Sequence, residues 1–547
     1  MTKSQSRKKA TDEYLSNLVI TSIDDIRNIE NDLLSAVLNE FSARNSAVAK
    51  DEKWRKPEAL TFSQIGQVIS TVFNVKCICC TPQNNNPAHD LLGLYVDDYV
   101  IEILGDTYEK KRGIYITDEL AIEGLSQFFN SDITINEIKE VIHWLKRNVE
   151  HVRRCEDRDL IAVNNGIFHY DTKQLEDFSP EYVFLTKSCV NYNPNATNPV
   201  IKMPNDDNWD VESWMADLND DSEITNLFWE ITSALLRPNV RWNKAAMLMS
   251  NTGNNGKGTL VEMWRALLGE GAHCSIPLSD FGKDFMLEPL IRASAVITDE
   301  NDVGGYLDKA ANLKAVITND VVSINRKFKE PISYQVRGFM VQCLNDLPRI
   351  KDKSDSFFRR QLFIPMTKCF TGMEIPEIKN DYLHRKEVLE YVMRKALETN
   401  FYKLSEPESC KMALEEYKEY ADPVRQFWSE FSNEFKWDLL PLQFLYDLFA
   451  AWFRKTNPSG TVLGKNTFSE ESKSVANAYG FIFVKDKKTC NLMDEPEPLI
   501  LEYGLDDWKN KTFKGANKLM LAKCESKEKY SSAFYRIGVD ADSSNKE

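Results

Sequence analysis

Residues 243–269 read "NKAAMLMSNTGNNGKGTLVEMWRALLG", a loop of glycine and asparagine set between an apolar run of strand length and a stretch with helical spacing. No other feature constrains the chain as strongly. A strand, a tight loop carrying Lys257 and then a helix bring backbone N–H groups and the positive end of the helix to one point, which is a place for phosphate. The loop departs from the usual G-x-x-x-x-G-K-[ST] pattern at both ends, with Asn251 at the first glycine position and Gly258 at the hydroxyl position. Gly253 and Gly256 still allow positive dihedrals and close approach, and Lys257 still supplies charge for β- and γ-phosphates. Gly253, Asn255, Gly256, Lys257, Gly258 and Thr259 are therefore the candidate nucleotide-binding residues, and Thr259, one residue late, is the hydroxyl available to a magnesium ion.

Two further apolar runs end in the residues such a site needs. "ASAVITDENDVGG" ends in Asp299 and Glu300, where one carboxylate holds magnesium or its waters and the next polarises an attacking water. "RGFMVQCLND" ends at Asn345, placed to orient that water or to sense the γ-phosphate. "DKSDSFFRRQLFIPM" then sets Arg359 and Arg360 before a last apolar run. Paired arginines are commonly a solvated or ion-paired face, but in a ring ATPase this is where one subunit offers an arginine finger to its neighbour.

This order resembles the superfamily 3 helicases, and more narrowly the phage, plasmid and poxvirus primase-helicase type with the phage and pathogenicity-island Rep initiators. There the loop reads G-x-N-G-K-[SG]-T, so "GNNGKGT" is similar to a family variant. The resemblance takes in "IAVNNGIFHYDT" and "FSPEYVFLT" before the loop and the B-prime segment "LDKAANLKAVITNDVVSINRKFKEP" after it, roughly residues 130–370. It implies an AAA+-like α/β P-loop core, ATP and Mg2+ as cofactors with Asp299 and Thr259 at the metal, and a homo-hexamer. It also implies catalytic roles for Asp299, Glu300, Asn345 and one of Arg359 or Arg360. On the B-prime pore hairpin, Arg326, Lys327, Phe328 and Lys329 offer basic charge with one aromatic for stacking on DNA.

At 547 residues the chain exceeds one ordinary core, and the pattern divides it into five parts. Residues 1–130 form an amino-terminal accessory module, beginning helical and polar, of mixed α+β character. Within it "LLGLYVDDYVIEI" alternates on both sides of Asp97 and Asp98 and predicts a hairpin. Asp97, Asp98 and Glu102 are acids of the kind a primase would want on strands, but adjacent carboxylates at a turn tip diverge, and no further primase motif follows. Residues 131–215 make a helical and strand-bearing domain, 216–375 the ATPase, and 376–430 a helical connector. Residues 431–547 read as helix, helix and then a hairpin in "FIFVKDKKTCNL", a winged-helix-like order. Lys465, Asn466 and Lys473 fall on or beside the recognition helix, with Lys485, Lys487 and Lys488 at the wing; Lys465, Lys473 and Lys487 are the DNA candidates. A small cap that binds nothing is the alternative there.

A net charge of −15 argues against a protein that coats nucleic acid without regard to sequence, but leaves room for a local basic channel. Eleven scattered cysteines fit a reducing compartment, and Cys77, Cys79 and Cys80 lack a second pair at zinc spacing, so they read as buried strand residues. The start of the chain has no apolar signal region, and no run of about 18 apolar residues occurs, so a cytoplasmic protein without membrane spans is expected. The sequence thus predicts an ATP-dependent ring DNA helicase and replication initiator of a mobile element, acting on origin duplex and single strand. A separate primase and host replication proteins are further candidate partners. The alternative is an origin-binding scaffold whose ATPase is weak or inactive, kept open by Gly258.

Overall fold

The computed structural model describes residues 2–81, 90–250, 252–301, 310–327, 329–348, 350, 354–456, 462–488, 495–516 and 530–538. They belong to two units, Met1–Lys411 and Met412–Glu547. No helix among the described residues is long and apolar enough to cross a membrane.

The first unit begins with helices Lys3–Ser16 and Ile23–Asn45. In the second of these Ile26, Ile29, Leu33, Val37 and Phe41 recur at three and four spacing and are all buried, while Ser22 and Asp25 close a capping box at its start. They share a core with a four-stranded sheet of order β3-β2-β1-β4, made of β1 Val75–Cys79, β2 Leu91–Tyr95, β3 Tyr115–Ile116 and β4 His151–Arg153. Of the three cysteines expected as buried strand residues, Cys77 is buried within β1, Cys79 at its end is half-buried, and Cys80 is buried just beyond it.

The hairpin expected over residues 91–103 does not form: β2 gives way to a helix, Asp98–Leu104. Asp97 sits before that helix and its carboxylate accepts from Val100 N at 2.9 Å, so an aspartate that resembled a turn residue is an N-cap. Asp98 is ion-paired with Arg112, and Glu102 with Arg27.

Beyond β4 come a three-stranded antiparallel sheet, β5 Leu160–Val163, β6 Gly166–His169 and β7 Gln174–Glu176, and a small pair, β8 Ile201–Lys202 with β9 Asn208–Trp209. Seven strands follow: β10 Ala245–Met249, β11 His273–Cys274, β12 Ala295–Thr298, β13 Val321–Arg326, β14 Lys329–Gln335, β15 Phe339–Leu344 and β16 Gln361–Pro365. Five of them form a parallel sheet of order β11-β12-β15-β10-β16, while β13 and β14 form a separate antiparallel pair. β12 and β15 are buried along their whole length, which is why they read as unbroken apolar runs rather than as alternation.

Helix Lys257–Leu268 is fixed against this sheet by Leu260, Val261, Met263, Trp264, Leu267 and Leu268, all buried. Trp264 is 0% exposed and its Nε1 donates to Thr232 Oγ1, 2.8 Å away on helix Ser222–Leu236. Truncating such a residue costs about 3–5 kcal/mol, so the helix that follows the glycine loop is firmly seated.

The β13–β14 pair is bulged between Ile324 and Arg326 and tied down at its root. There Gln335 N donates to Cys80 O at 3.0 Å, and Arg154 donates to both Tyr334 Oη and Gln335 O at 2.6 Å. The same guanidinium stacks 4.6 Å from the Tyr334 ring centroid.

The second unit runs helix Pro423–Phe431, β17 Leu439–Pro441, helices Leu442–Thr456 and Lys465–Val475, then β18 Phe481–Lys488 and β19 Tyr530–Arg536. The strands form an antiparallel sheet of order β17-β19-β18 around an aromatic core of Phe427, Trp428, Phe431, Phe449 and Phe468. Residues 481–488 of the expected hairpin form one strand whose partner is β19, with Phe481 opposite Arg536 and Lys488 opposite Tyr530; residues 489–492 lie outside the described residues. Alternation marks a strand but carries no information about its partner.

Candidate functional site

Parallel pairing sets the strand ends level. Met249 of β10 lies opposite Leu344 of β15, and Thr298 of β12 opposite Gln342, so Ser250, Asn345 and Asp299 emerge together at one edge of the sheet. In open parallel sheets that carboxyl edge is where ligands bind.

A cavity of about 700 Å³ opens there. Gly253, Asn255, Gly256, Lys257, Gly258 and Thr259 line it, and so do Asp299, Glu300 and Asn345. Every candidate nucleotide-binding residue and three of the five candidate catalytic residues thus meet in one place. Asn251 lies outside the described residues.

The loop owes its shape to two left-handed positions, Asn254 at φ 52° and Gly256 at φ 83°. A Cβ on Gly256 would also strike Leu218 Cδ2 at 2.6 Å, so only glycine fits. Asn255 braces the turn from inside, bonding Thr252 O and accepting from Lys257 N at 3.3 Å. Gly256 gives helix Lys257–Leu268 no side-chain cap; the Lys257 N–H is taken by Asn255, and the N–H groups of Gly258 and Thr259 stand at the cavity end.

Lys257 is 6% exposed, and its Nζ donates to Asn345 Oδ1 at 3.0 Å. Burial lowers its pKa from the ordinary lysine value, and the Asp299 carboxylate nearby offsets part of that. Burial, then the Asp299 charge, pushes the Cys343 thiol up to about 12 and keeps it protonated against that carboxylate. Asn301, two residues past Asp299, donates to Gln342 Oε1 and Cys343 O at 3.0 Å and so pins the acidic turn to β15. Asp299 is half-buried and Glu300 exposed. One carboxylate is held at the wall while the other faces solvent.

The apolar part of the lining was not legible in the sequence. Met203, Trp209, Trp214, Leu218, Phe370 and Ile378 supply an apolar, partly aromatic face. Trp209 Nε1 is buried there without a hydrogen-bond partner among the described residues. Residues 370–379 also clamp the loop: Phe370 N donates to Asn254 O at 2.7 Å, and Asn254 Nδ2 donates to Glu374 Oε1 at 2.7 Å. These residues come from a two-residue strand, short helices and loops that carry no motif, and only the return of the chain brings them in.

Arg359 and Arg360 do not line the cavity. Arg359 is exposed, whereas the Arg360 guanidinium folds back onto Ser356 O. The proposed DNA contacts are also apart from it. Arg326 donates from Nε and Nη2 to Glu330 O across its own hairpin, and Lys329 pairs with Glu119 at 3.5 Å. Lys327 is exposed on the same hairpin; Phe328 and the side chain of Lys487 lie outside the described residues. In the second unit Lys465 bonds Gln443, and Lys473 pairs with Glu470 at 2.6 Å and covers Phe483.

Three families match successive segments: D5 N terminal like over residues 71–244, a family of unknown function (DUF5906) over 248–360, and Poxvirus D5 protein-like over 419–510. D5-like segments thus flank the segment that carries the glycine loop. No curated protein matches the chain. Among solved structures, the A form apo structure of the NrS-1 C terminal region is similar at 15% identity and a TM-score of 0.43, covering 87% of this chain and 100% of that one. A further apo structure of that region gives 14% and 0.41, covering 78% and 88%.

Proposed function

We propose that this chain is an ATP-driven DNA helicase of the D5-like primase-helicase type, working as a ring-forming replication initiator. One observation carries the reading: Lys257, Asp299, Glu300 and Asn345, from separate stretches of sequence, line one cavity together with apolar and aromatic side chains. The two kinds of lining suit the two halves of a nucleotide, its phosphates and its base. Lys257 and the uncapped helix start hold the β- and γ-phosphates, Glu300 accepts the proton of the attacking water, and Asn345 orients that water.

A magnesium ion would be held by the Asp299 carboxylate and the Thr259 hydroxyl, both at the cavity wall, with phosphate oxygens and waters completing an all-oxygen set. When bound it neutralises charge on the transferred phosphoryl group. Arg359, exposed and outside the cavity of its own chain, is the better placed of the two arginines to reach a neighbour's nucleotide. The sheet order, with β10 between β15 and β16, supports the AAA+-like P-loop assignment. The three helices and the β17-β19-β18 sheet of the second unit support a winged-helix module that meets duplex DNA.

Steady-state ATP hydrolysis with and without forked DNA, followed by strand displacement, tests this. Turnover lost in Lys257→Ala supports the reading. The second reading, an origin-binding scaffold with a weak ATPase, is favoured by Gly258 alone; origin binding by a wild-type protein that never turns over would establish it instead.

A further inference from the structure

At position 258 the loop carries no side chain, yet the space beside it is bordered by charge. A Cβ built on Gly258 would lie 3.6 Å from Lys379 Nζ and 3.6 and 3.7 Å from the two carboxylate oxygens of Asp299. Lys379 belongs to helix Pro376–Asn380, beyond the last strand of the parallel sheet, and lines the same cavity as Lys257. It is exposed and makes no ion pair among the described residues.

Its place relative to the loop is set by the chain that carries it. Phe370 and Glu374, a few residues earlier, are hydrogen-bonded to Asn254 at 2.7 Å each, so the segment that brings in Lys379 is fastened to the phosphate loop itself. A lysine ammonium is a compact charge on a flexible stem, able to follow a polyphosphate.

We propose that Lys379 is a second phosphate-contacting cation, supplied in cis, and that glycine at 258 keeps open the volume through which it approaches. This rests on the nucleotide reading of the cavity. Lys257 approaches from inside the sheet and Lys379 from the solvent side, so the terminal phosphates lie between two ammonium groups, with Asp299 balancing the pair. The absent hydroxyl at 258 is then not a lost metal ligand but room for a different charge.

The test is equilibrium titration of the full-length protein with fluorescent ATP, ADP and AMP. Lys379→Ala is expected to weaken ATP binding about tenfold or more, ADP less, and AMP not at all, because a charge-assisted bond to the distal phosphates is lost. Lys379→Arg should keep most of the affinity. Gly258→Leu, which fills the approach, should reproduce Lys379→Ala, weakening ATP most and AMP least. Unchanged ATP affinity in Lys379→Ala alongside lost binding in Lys257→Ala overturns the inference and leaves the nucleotide site standing. Equal losses for all three nucleotides overturn it as well, as a structural effect. If neither lysine matters, the nucleotide reading falls with it.

Discussion

The cavity at the sheet edge and the surfaces that carry the proposed DNA contacts are built on opposite principles. In the cavity, groups from distant parts of the chain are held at fixed separations by buried strands and a clamped loop: Lys257 is buried against Asn345, and Trp264 seats the helix behind it. On the hairpin and in the second unit the cations are local in sequence, exposed or nearly so, and several are occupied by neighbours, Lys329 by Glu119 and Lys473 by Glu470. A surface pair of this kind is worth only about 0–1 kcal/mol, so a phosphate can displace it at little cost. Preorganisation belongs to the first region and exchange to the second.

That contrast can be broken experimentally. Lys257→Ala should reduce ATP hydrolysis below detection without unfolding the protein, since no other loop residue carries a positive charge; measurable turnover would remove the site from the preorganised class. Arg359→Ala should lower turnover by about 10³-fold, and mixing it with Lys257→Ala subunits should restore part of the activity through mixed sites. Absence of rescue from rings that still assemble would place the arginine outside the chemistry. Glu300→Gln should cost about 10²-fold in turnover with nucleotide affinity retained, read by single-turnover hydrolysis beside a binding titration; collapse of affinity would make Glu300 a structural residue. The smallest effect is expected on the hairpin. Lys329→Ala should reduce the slope of log affinity against log salt by about 0.9 on duplex DNA, with hydrolysis unchanged. A loss as steep as that of Lys257→Ala would show the hairpin to be as preorganised as the cavity.

The same contrast decides what the sequence could reveal. Lys257, Asp299, Glu300 and Asn345 were legible because a buried parallel strand announces itself as an apolar run and the functional residue stands at its end. Trp209, Trp214 and Lys379 stand on a two-residue strand and two short helices, and Phe370 on a connection, pieces too short to show a period or motif, and their convergence depends on where the chain returns. Asp97 was misread because three or four alternating residues fit the first turn of a short helix as well as a strand; the deciding signal was its N-cap bond to Val100. The strand at Phe481 was legible, but its partner, Tyr530–Arg536, was not, since pairing across a long connection leaves no local mark.

The root of the β13–β14 hairpin deserves a mechanical reading. Gln335 is bonded to Cys80, and Arg154 grips Tyr334 and Gln335, so the base of this lever is bolted to the sheet that begins at Val75. A beam clamped at its base cannot pivot there. Load applied at the tip passes down both strands into the anchoring sheet, and any stroke of the hairpin has to carry that sheet along as ballast.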